Sequence, residues 1–347
     1  MSGLRTPGAV AADTGAAPSG GRHYRVLVVT NLWPTDADPG YGSFVQAQME
    51  SLRPFGVAYD VLFIDGRQSV ANYLRGIFEM RRRLATQPYD LIHAHFGLSG
   101  WAARLQARVP VVVSFMGDDV LGRFGRAGRV GLVGRVFRVS SFLLARLVAA
   151  VIVKSKPMKT RLRLASVHVI PNGVNLDVFR PMEIHEARQV LGLDSKRSFV
   201  LFPYDPEIPN KRYDLVQAAV RLAQRELPEV EILRVAGEPR RLMPLYLNAV
   251  DALALASHSE GSPNIVKEAM AVNLPVISVD VGDVAELIGP TEGCYIVPRR
   301  AEDIAARIVQ VCRQGTRTRG REWIRAYAEE CIARQIVAVY ASVVGAK

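Results

Sequence analysis

The chain has 347 residues, 49% of them hydrophobic, with ordinary Gly and Pro content and a formal charge of +11. This is the composition of a soluble globular protein of more than one domain, and it excludes collagen-like, disulfide-scaffold and wholly disordered classes. The charge is lopsided: residues 1–175 carry 22 Lys or Arg against 10 Asp or Glu, whereas residues 176–347 carry 22 against 23.

Residues 1–21 are rich in Ala, Gly, Ser and Pro without an apolar core, which reads as a disordered lead-in rather than a signal peptide. "HYRVLVVTN" from His23 is an apolar, β-branched run that predicts a buried parallel strand. "GSFVQAQMESLRPFG" then predicts a helix ending at Gly56. Strand-like runs follow at "YDVLFI", "DLIHAHF", "VPVVVSF", "AAVIVKS" and "VHVIPN", with helical segments around 70–85, 98–107 and 131–148 between them. Alternation of helices with fully apolar strands predicts a parallel sheet covered on both faces.

After "PNGVNLDVFRP" the pattern restarts. "SFVLFPY", "VEILRVAG", "DALALAS", "PVISVD" and "CYIVP" predict five more strands, and "RYDLVQAAVRLAQREL" an amphipathic helix. The tail from Glu302 to Val344 reads as helical throughout. The expected division is a lead-in over 1–21, one α/β domain over 22–175, a second over 176–325, and a C-terminal helix over 326–347 packing back on the first domain. Two doubly wound sheets facing each other bind ligands between the carboxyl ends of their strands.

Several short stretches carry candidate chemistry. In "EGSPNIVKEAM", Ser262 is placed to cap a helix and Pro263 to begin its first turn. The free N–H groups of that terminus suit a phosphate, and Glu260 and Glu268 suit the hydroxyls of a sugar or ribose. The same pattern also fits a capped helix with a surface Glu. "DPEIPNKRYDL" offers the adjacent cations Lys211 and Arg212, or a solvated turn. Gly40, Gly42 and Ser43 lie between the first strand and the first helix as a possible phosphate or acceptor loop, but not as GxGxxG. His93, His95, Gly117, Asp118 and Asp119 follow two strands at the expected cleft edge. The three cysteines, Cys294, Cys312 and Cys331, lack metal-ligand spacing and cannot all pair, which suits a reduced, cytoplasmic compartment.

"EGSPNIVKE" with the following "AMAVNLPVISVDVGDVAELI" resembles the E-x7-E motif of the retaining glycosyltransferases of family 4, which have the GT-B fold. The resemblance runs from about Arg25 to about Tyr340 and is strongest over 232–290. It implies a GT-B architecture of two Rossmann-like domains across a cleft, and transfer of a sugar from a UDP- or GDP-linked donor to a hydroxyl acceptor: polysaccharide, lipid-linked or small molecule. It implies that Glu260 contacts the donor sugar and Glu268 the ribose. Gly261, Ser262, Pro263, Asn264 and Ile265 would approach the diphosphate, and Lys211 would neutralise the leaving group. No cofactor and no metal are implied, since the nucleotide-sugar is a substrate. The chain departs from the family in three places. The loop Arg is missing, leaving Arg212 as a substitute; Met116 stands where His is frequent; Asn175 stands where Asp is common. The missing Arg and Met116 keep a non-catalytic subunit open as an alternative, beside an epimerase or phosphorylase of the same fold.

Residues 120–163 hold eleven basic residues and no acid. This run suits an anionic membrane surface or a solvated face equally well. Nucleic acid is not expected, because aromatic residues do not interleave with the cations.

Overall fold

The computed structural model describes residues 22–122 and 130–345. The N-terminal domain runs β1 (Tyr24–Thr30), α1 (Ser43–Ser51), β2 (Val57–Phe63), α2 (Ala71–Thr86), β3 (Leu91–His95), α3 (Gly97–Arg104), β4 (Val111–Ser114), α4 (Asp118–Leu121), α5 (Leu132–Leu144), β5 (Ala150–Val153), α6 (Lys156–Leu162) and β6 (Val167–Val169). The chain continues through α7 (Ile184–Leu191), β7 (Ser198–Phe202), α8 (Tyr213–Ala223), β8 (Val230–Arg234), α9 (Met243–Ala249), β9 (Ala252–Leu255), α10 (Asn264–Ala271), β10 (Val276–Val279), α11 (Val284–Ile288) and β11 (Tyr295–Val297). It closes with α12 (Ala301–Gln314), α13 (Gly320–Ile324) and α14 (Glu329–Val344).

Two separate parallel sheets result. The first has the order β2-β1-β3-β4-β5-β6 and the second β11-β10-β9-β7-β8. In each, the strand order reverses beside the first strand, the doubly wound arrangement that places loops from neighbouring strands at the carboxyl edge. Both faces of each sheet are buried. Leu27, Val29, Ile92 and Val113 point into one N-terminal layer, and Val26, Val28, Leu91 and Val112 into the other. That is why these strands read as unbroken apolar runs.

The tail is three helices rather than one. Gly315 adopts a left-handed conformation (φ 58°) that ends α12, and Ala328 is extended before α14. A glycine directly after the last apolar turn is the stop signal that the continuous reading passed over. Helix α14 lays Ile332, Ile336, Val339 and Tyr340 against Tyr24, Val26 and Leu91 of the N-terminal sheet. Each such aliphatic side chain contributes about 1.5–3 kcal/mol on full burial. The Tyr340 hydroxyl lies 2.6 Å from Nδ1 of His93, which satisfies a phenol with no access to solvent.

Candidate active site

The site begins with the loop between β9 and α10. Pro263, not Ser262, occupies the cap position of α10, and no side chain caps the helix. Ser262 Oγ instead accepts a hydrogen bond of 2.9 Å from Nζ of Lys267, which is wholly buried. A buried ammonium needs acceptors more than a helix terminus needs one particular cap. Burial pulls Lys267 down to about 8, against the pull of neighbouring Asp283 and Glu268. It pushes Asp283 up to about 6, with Lys267 opposing. Lys267, Ser262 and Asp283 thus support the loop from beneath.

Glu260 and Glu268 each face a cation. Lys211 Nζ lies 2.7 Å from Oε1 of Glu260, with both side chains largely shielded from water. The same ammonium stands 3.9 Å from the ring centre of Tyr204, a partly buried tyrosine held in its protonated form by desolvation and by both glutamates. Eight residues on, Oε1 of Glu268 accepts from Nη2 of Arg240. The other oxygen, Oε2, is buried without a partner, and Glu268 lines a cavity of about 240 Å³. Such an oxygen is an acceptor awaiting a donor. Arg212 has a left-handed backbone and its guanidinium forks onto the carboxylate of Asp214.

The N-terminal domain forms the other wall. Gly42 turns the chain into α1 with φ 71°; a Cβ there would lie 2.2 Å from the carbonyl carbon of Leu32. Gly40 has no such neighbour. Ser43 and Gln48 line the cavity opposite Glu268 and Asn264. His95 is buried and reaches the cavity only through Gln48, whose Nε2 lies 3.2 Å from the ring Nε2. Burial and the nearby His93 hold His95 neutral, well below the usual histidine range. Gln48 Oε1 also accepts from Lys154 Nζ at 3.3 Å. Lys154 is buried, and burial with the neighbouring charge of Lys267 pulls it down to about 7.

The two domains touch at the loop after β4. Asp119 is buried and accepts from the amides of Met116 and Gly117 at 3.0–3.1 Å, so it shapes its own loop. Burial nonetheless raises its carboxyl to about 6. Asp118 is exposed. Across the gap, a Cβ on Gly261 would lie 2.9 Å from the Met116 carbonyl oxygen and 3.4 Å from Gly117 Cα. His93 is bound on both nitrogens, to Tyr340 and to Ser114, and is part of the core rather than of the cleft edge.

Of the residues expected from the sequence, Ser43, Asn264 and Glu268 line the cavity, together with Gln48 and Arg240; Lys211, Glu260 and Ser262 are not among its lining residues, and Lys211 and Glu260 pair with each other instead. Arg240, Tyr204, Lys154, Lys267 and Asp283 escaped the reading of the sequence. Only Arg240 had a local signal: "PRR" follows a strand, where β8 ends at the cleft. Among the described residues, no group of three or more His, Cys, Asp or Glu is placed to hold a metal ion.

Residues 20–178 match the family model Glycosyltransferase Family 4, and residues 209–314 match Glycosyl transferases group 1. The chain belongs to the family 4 glycosyltransferases of GT-B fold. This glycosyltransferase is 25% identical to the putative teichuronic acid biosynthesis glycosyltransferase TuaC of Bacillus subtilis, over 82% of this chain and 88% of that one. It is 28% identical to the D-inositol 3-phosphate glycosyltransferase of Mycobacterium marinum, over 72% of this chain but only 62% of that relative's length. Among solved structures, sucrose-phosphate synthase from Thermosynechococcus elongatus superposes with a TM-score of 0.77 at 18% identity, covering 94% of this chain and all of that one. Anabaena Alr3699/HepE, in complex with UDP and glucose, superposes at 0.68 and 17% identity, covering 92% and 100%. At these identities the structural likeness speaks for the fold alone.

Proposed function

We propose that this glycosyltransferase moves a hexosyl group from a UDP- or GDP-sugar to a hydroxyl acceptor with retention of anomeric configuration. The observation that carries the reading is the unpartnered buried oxygen of Glu268 on the cleft cavity, with Glu260 eight residues upstream in the same loop-and-helix unit and paired to Lys211 of the loop after β7. Glu268 suits a ribose diol because a carboxylate accepts two hydrogen bonds in one plane. The amino end of α10 suits the diphosphate. Lys211 supplies positive charge where the leaving phosphate gains negative charge, and Glu260 orients the sugar.

In this reading the acceptor oxygen bonds to the anomeric carbon as the bond from that carbon to the phosphate oxygen breaks. The acceptor proton passes to the departing phosphate, so no enzymic nucleophile is required. Gln48 lies on the acceptor wall, with His95 behind it. Acceptor classes are polysaccharide, lipid-linked sugar or small molecule, and neither cofactor nor metal takes part.

The test is a thermal-shift screen of UDP- and GDP-sugars, followed by donor consumption with candidate acceptors and assignment of the product anomer by NMR. A specific shift and a retained anomer are expected. An inverted product, or full turnover in Glu260→Gln or Lys211→Ala, overturns the assignment. A second reading, a nucleotide-sugar-binding subunit without turnover, draws on Arg212, whose guanidinium is engaged by Asp214. Donor binding without transfer to any acceptor favours it.

A further inference from the structure

The exposed apolar surface is concentrated on one face of the N-terminal domain. Among the described residues, ten of the sixteen large hydrophobic side chains that stand exposed lie on or beside α2, α3 and α5. Leu74 and Phe78 stand one turn apart on α2, 63% and 72% exposed. Leu132, Val136, Val139 and Leu143 recur at three- and four-residue spacing along α5, 49–77% exposed. Helix α5 is inverted relative to an ordinary surface helix. It buries Gly134, Ser141 and Leu144 and turns its aliphatic stripe to solvent.

The three helices form one continuous face. Arg81 donates to the Leu105 carbonyl oxygen at 2.8 Å, Arg104 Nε donates to the Leu147 carbonyl oxygen at 2.7 Å, and Trp101 donates to Ser140 Oγ at 2.6 Å. The rim is basic. Arg75, Arg82, Arg135 and Arg146 are exposed, and α5 contains no acid. The one acid of α2, Glu79, is taken up by Arg82 and Arg83.

We propose that this face docks on an anionic phospholipid bilayer. Aliphatic and aromatic side chains enter the boundary between headgroups and acyl chains, while the guanidinium rim meets lipid phosphates. A second copy of the chain fits less well, since its own basic rim would meet this one. Nucleic acid fits less well because the exposed ridge is mainly aliphatic and offers no row of stacking rings. No described helix is long and apolar enough to cross a membrane, so the contact is one of the surface. Of the basic run over 120–163, residues 123–129 lie outside the described residues.

The face adjoins the cleft: α5 packs on α4, and Gly117 at the head of α4 meets Gly261. A lipid-borne acceptor would thus reach the site from the bilayer. That extension rests on the proposed function, whereas docking itself does not.

The test is co-sedimentation of the full chain with vesicles of phosphatidylcholine alone and of phosphatidylcholine mixed with phosphatidylglycerol. Binding to the anionic vesicles only, weakened by salt, is expected. The variant Leu74→Ser/Phe78→Ser/Val136→Ser/Val139→Ser should lose about tenfold or more of that partition. Its circular dichroism and its thermal shift with the donor should be unchanged, because all four side chains are exposed. Equal sedimentation of the variant, or no sedimentation of the parent, overturns the proposal. So does a concentration-dependent dimer that the variant abolishes without any vesicle binding. Since vesicle binding is read without sugar transfer, failure of the catalytic reading leaves this result intact.

Discussion

Lys211 and Glu260 lie 2.7 Å apart on loops from two different strands, β7 and β9, so each fixes the position of the other. Desolvation largely cancels the Coulomb attraction of such a shielded pair, and its contribution to stability is small. Its consequence is positional. We expect Glu260→Gln or Lys211→Ala to lower kcat by about 100- to 1,000-fold, as removal of a transition-state electrostatic contact does. The double variant should lose far less than the product of the two, because the residues act as a unit. Steady-state kinetics on all three proteins tests this, and strictly multiplicative losses would contradict it.

Arg240 occupies one oxygen of Glu268 and leaves the other free. Glu268→Ala should weaken donor binding by about 10- to 100-fold, equivalent to the roughly 1.5–3 kcal/mol of a hydrogen bond to a charged group. Arg240→Ala should weaken it less, while lowering Tm in the absence of donor by stranding a buried carboxylate. Isothermal titration and melting curves separate the two effects. Donor binding as tight in Glu268→Ala as in the parent would remove this residue from the site.

Gly261 sits where the domains meet. In Gly261→Ala the new Cβ comes within 2.9 Å of the Met116 carbonyl oxygen, and backbone there yields little. The domains should stand apart by a fraction of an ångström, at a cost of about 100-fold in kcat, as misplacement of reacting groups produces. Donor affinity should change less than kcat. A variant with parental kcat would show that the contact is slack.

Lys154 supplies a pH signature. Burial lowers it from 10.5 to about 7, with Lys267 adding to the shift and Asp119 opposing it. Below pH 7 the lysine is charged in both folded and unfolded chains, and the buried charge costs its full penalty. Between about 7 and 10.5 unfolding takes up a proton, so this group's contribution to stability rises with pH. Lys154→Met should therefore raise Tm most below pH 7, with the gain shrinking toward pH 10. A gain independent of pH would exclude this origin.

The fold was legible because nearly every strand is an apolar run closed by a turn, and parallel strands buried on both faces look like that. The sequence also showed Glu260 and Glu268 at a fixed spacing. It could not show that Lys211 would stand over Tyr204, or that Arg240 would cover Glu268, because both depend on where two loops from separate strands come to rest. Ser262 looked like a cap because nothing local reveals that Lys267, five residues on, would be buried and claim its hydroxyl. His93 and His95 looked alike as strand-end histidines. The C-terminal helix, almost 250 residues away, decides that one of them is sealed against Tyr340. The stripe on α5 has the periodicity of a buried face, and periodicity alone does not say which side of a helix meets water.

The two crossings between the domains run side by side. The Val174 amide donates to the Tyr327 carbonyl oxygen at 2.9 Å, the Glu329 amide donates to the Val174 carbonyl oxygen at 3.1 Å, and a Cβ on Gly173 would strike Glu329. A pair of adjacent strands makes a door hinge, whereas a single tether would allow any swing. The N-terminal sheet and α14 form one leaf, and β7 to α13 form the other. Fluorophores on α14 and on α12 would therefore ride on opposite leaves. The distance between them would read each opening of the cleft as one angle.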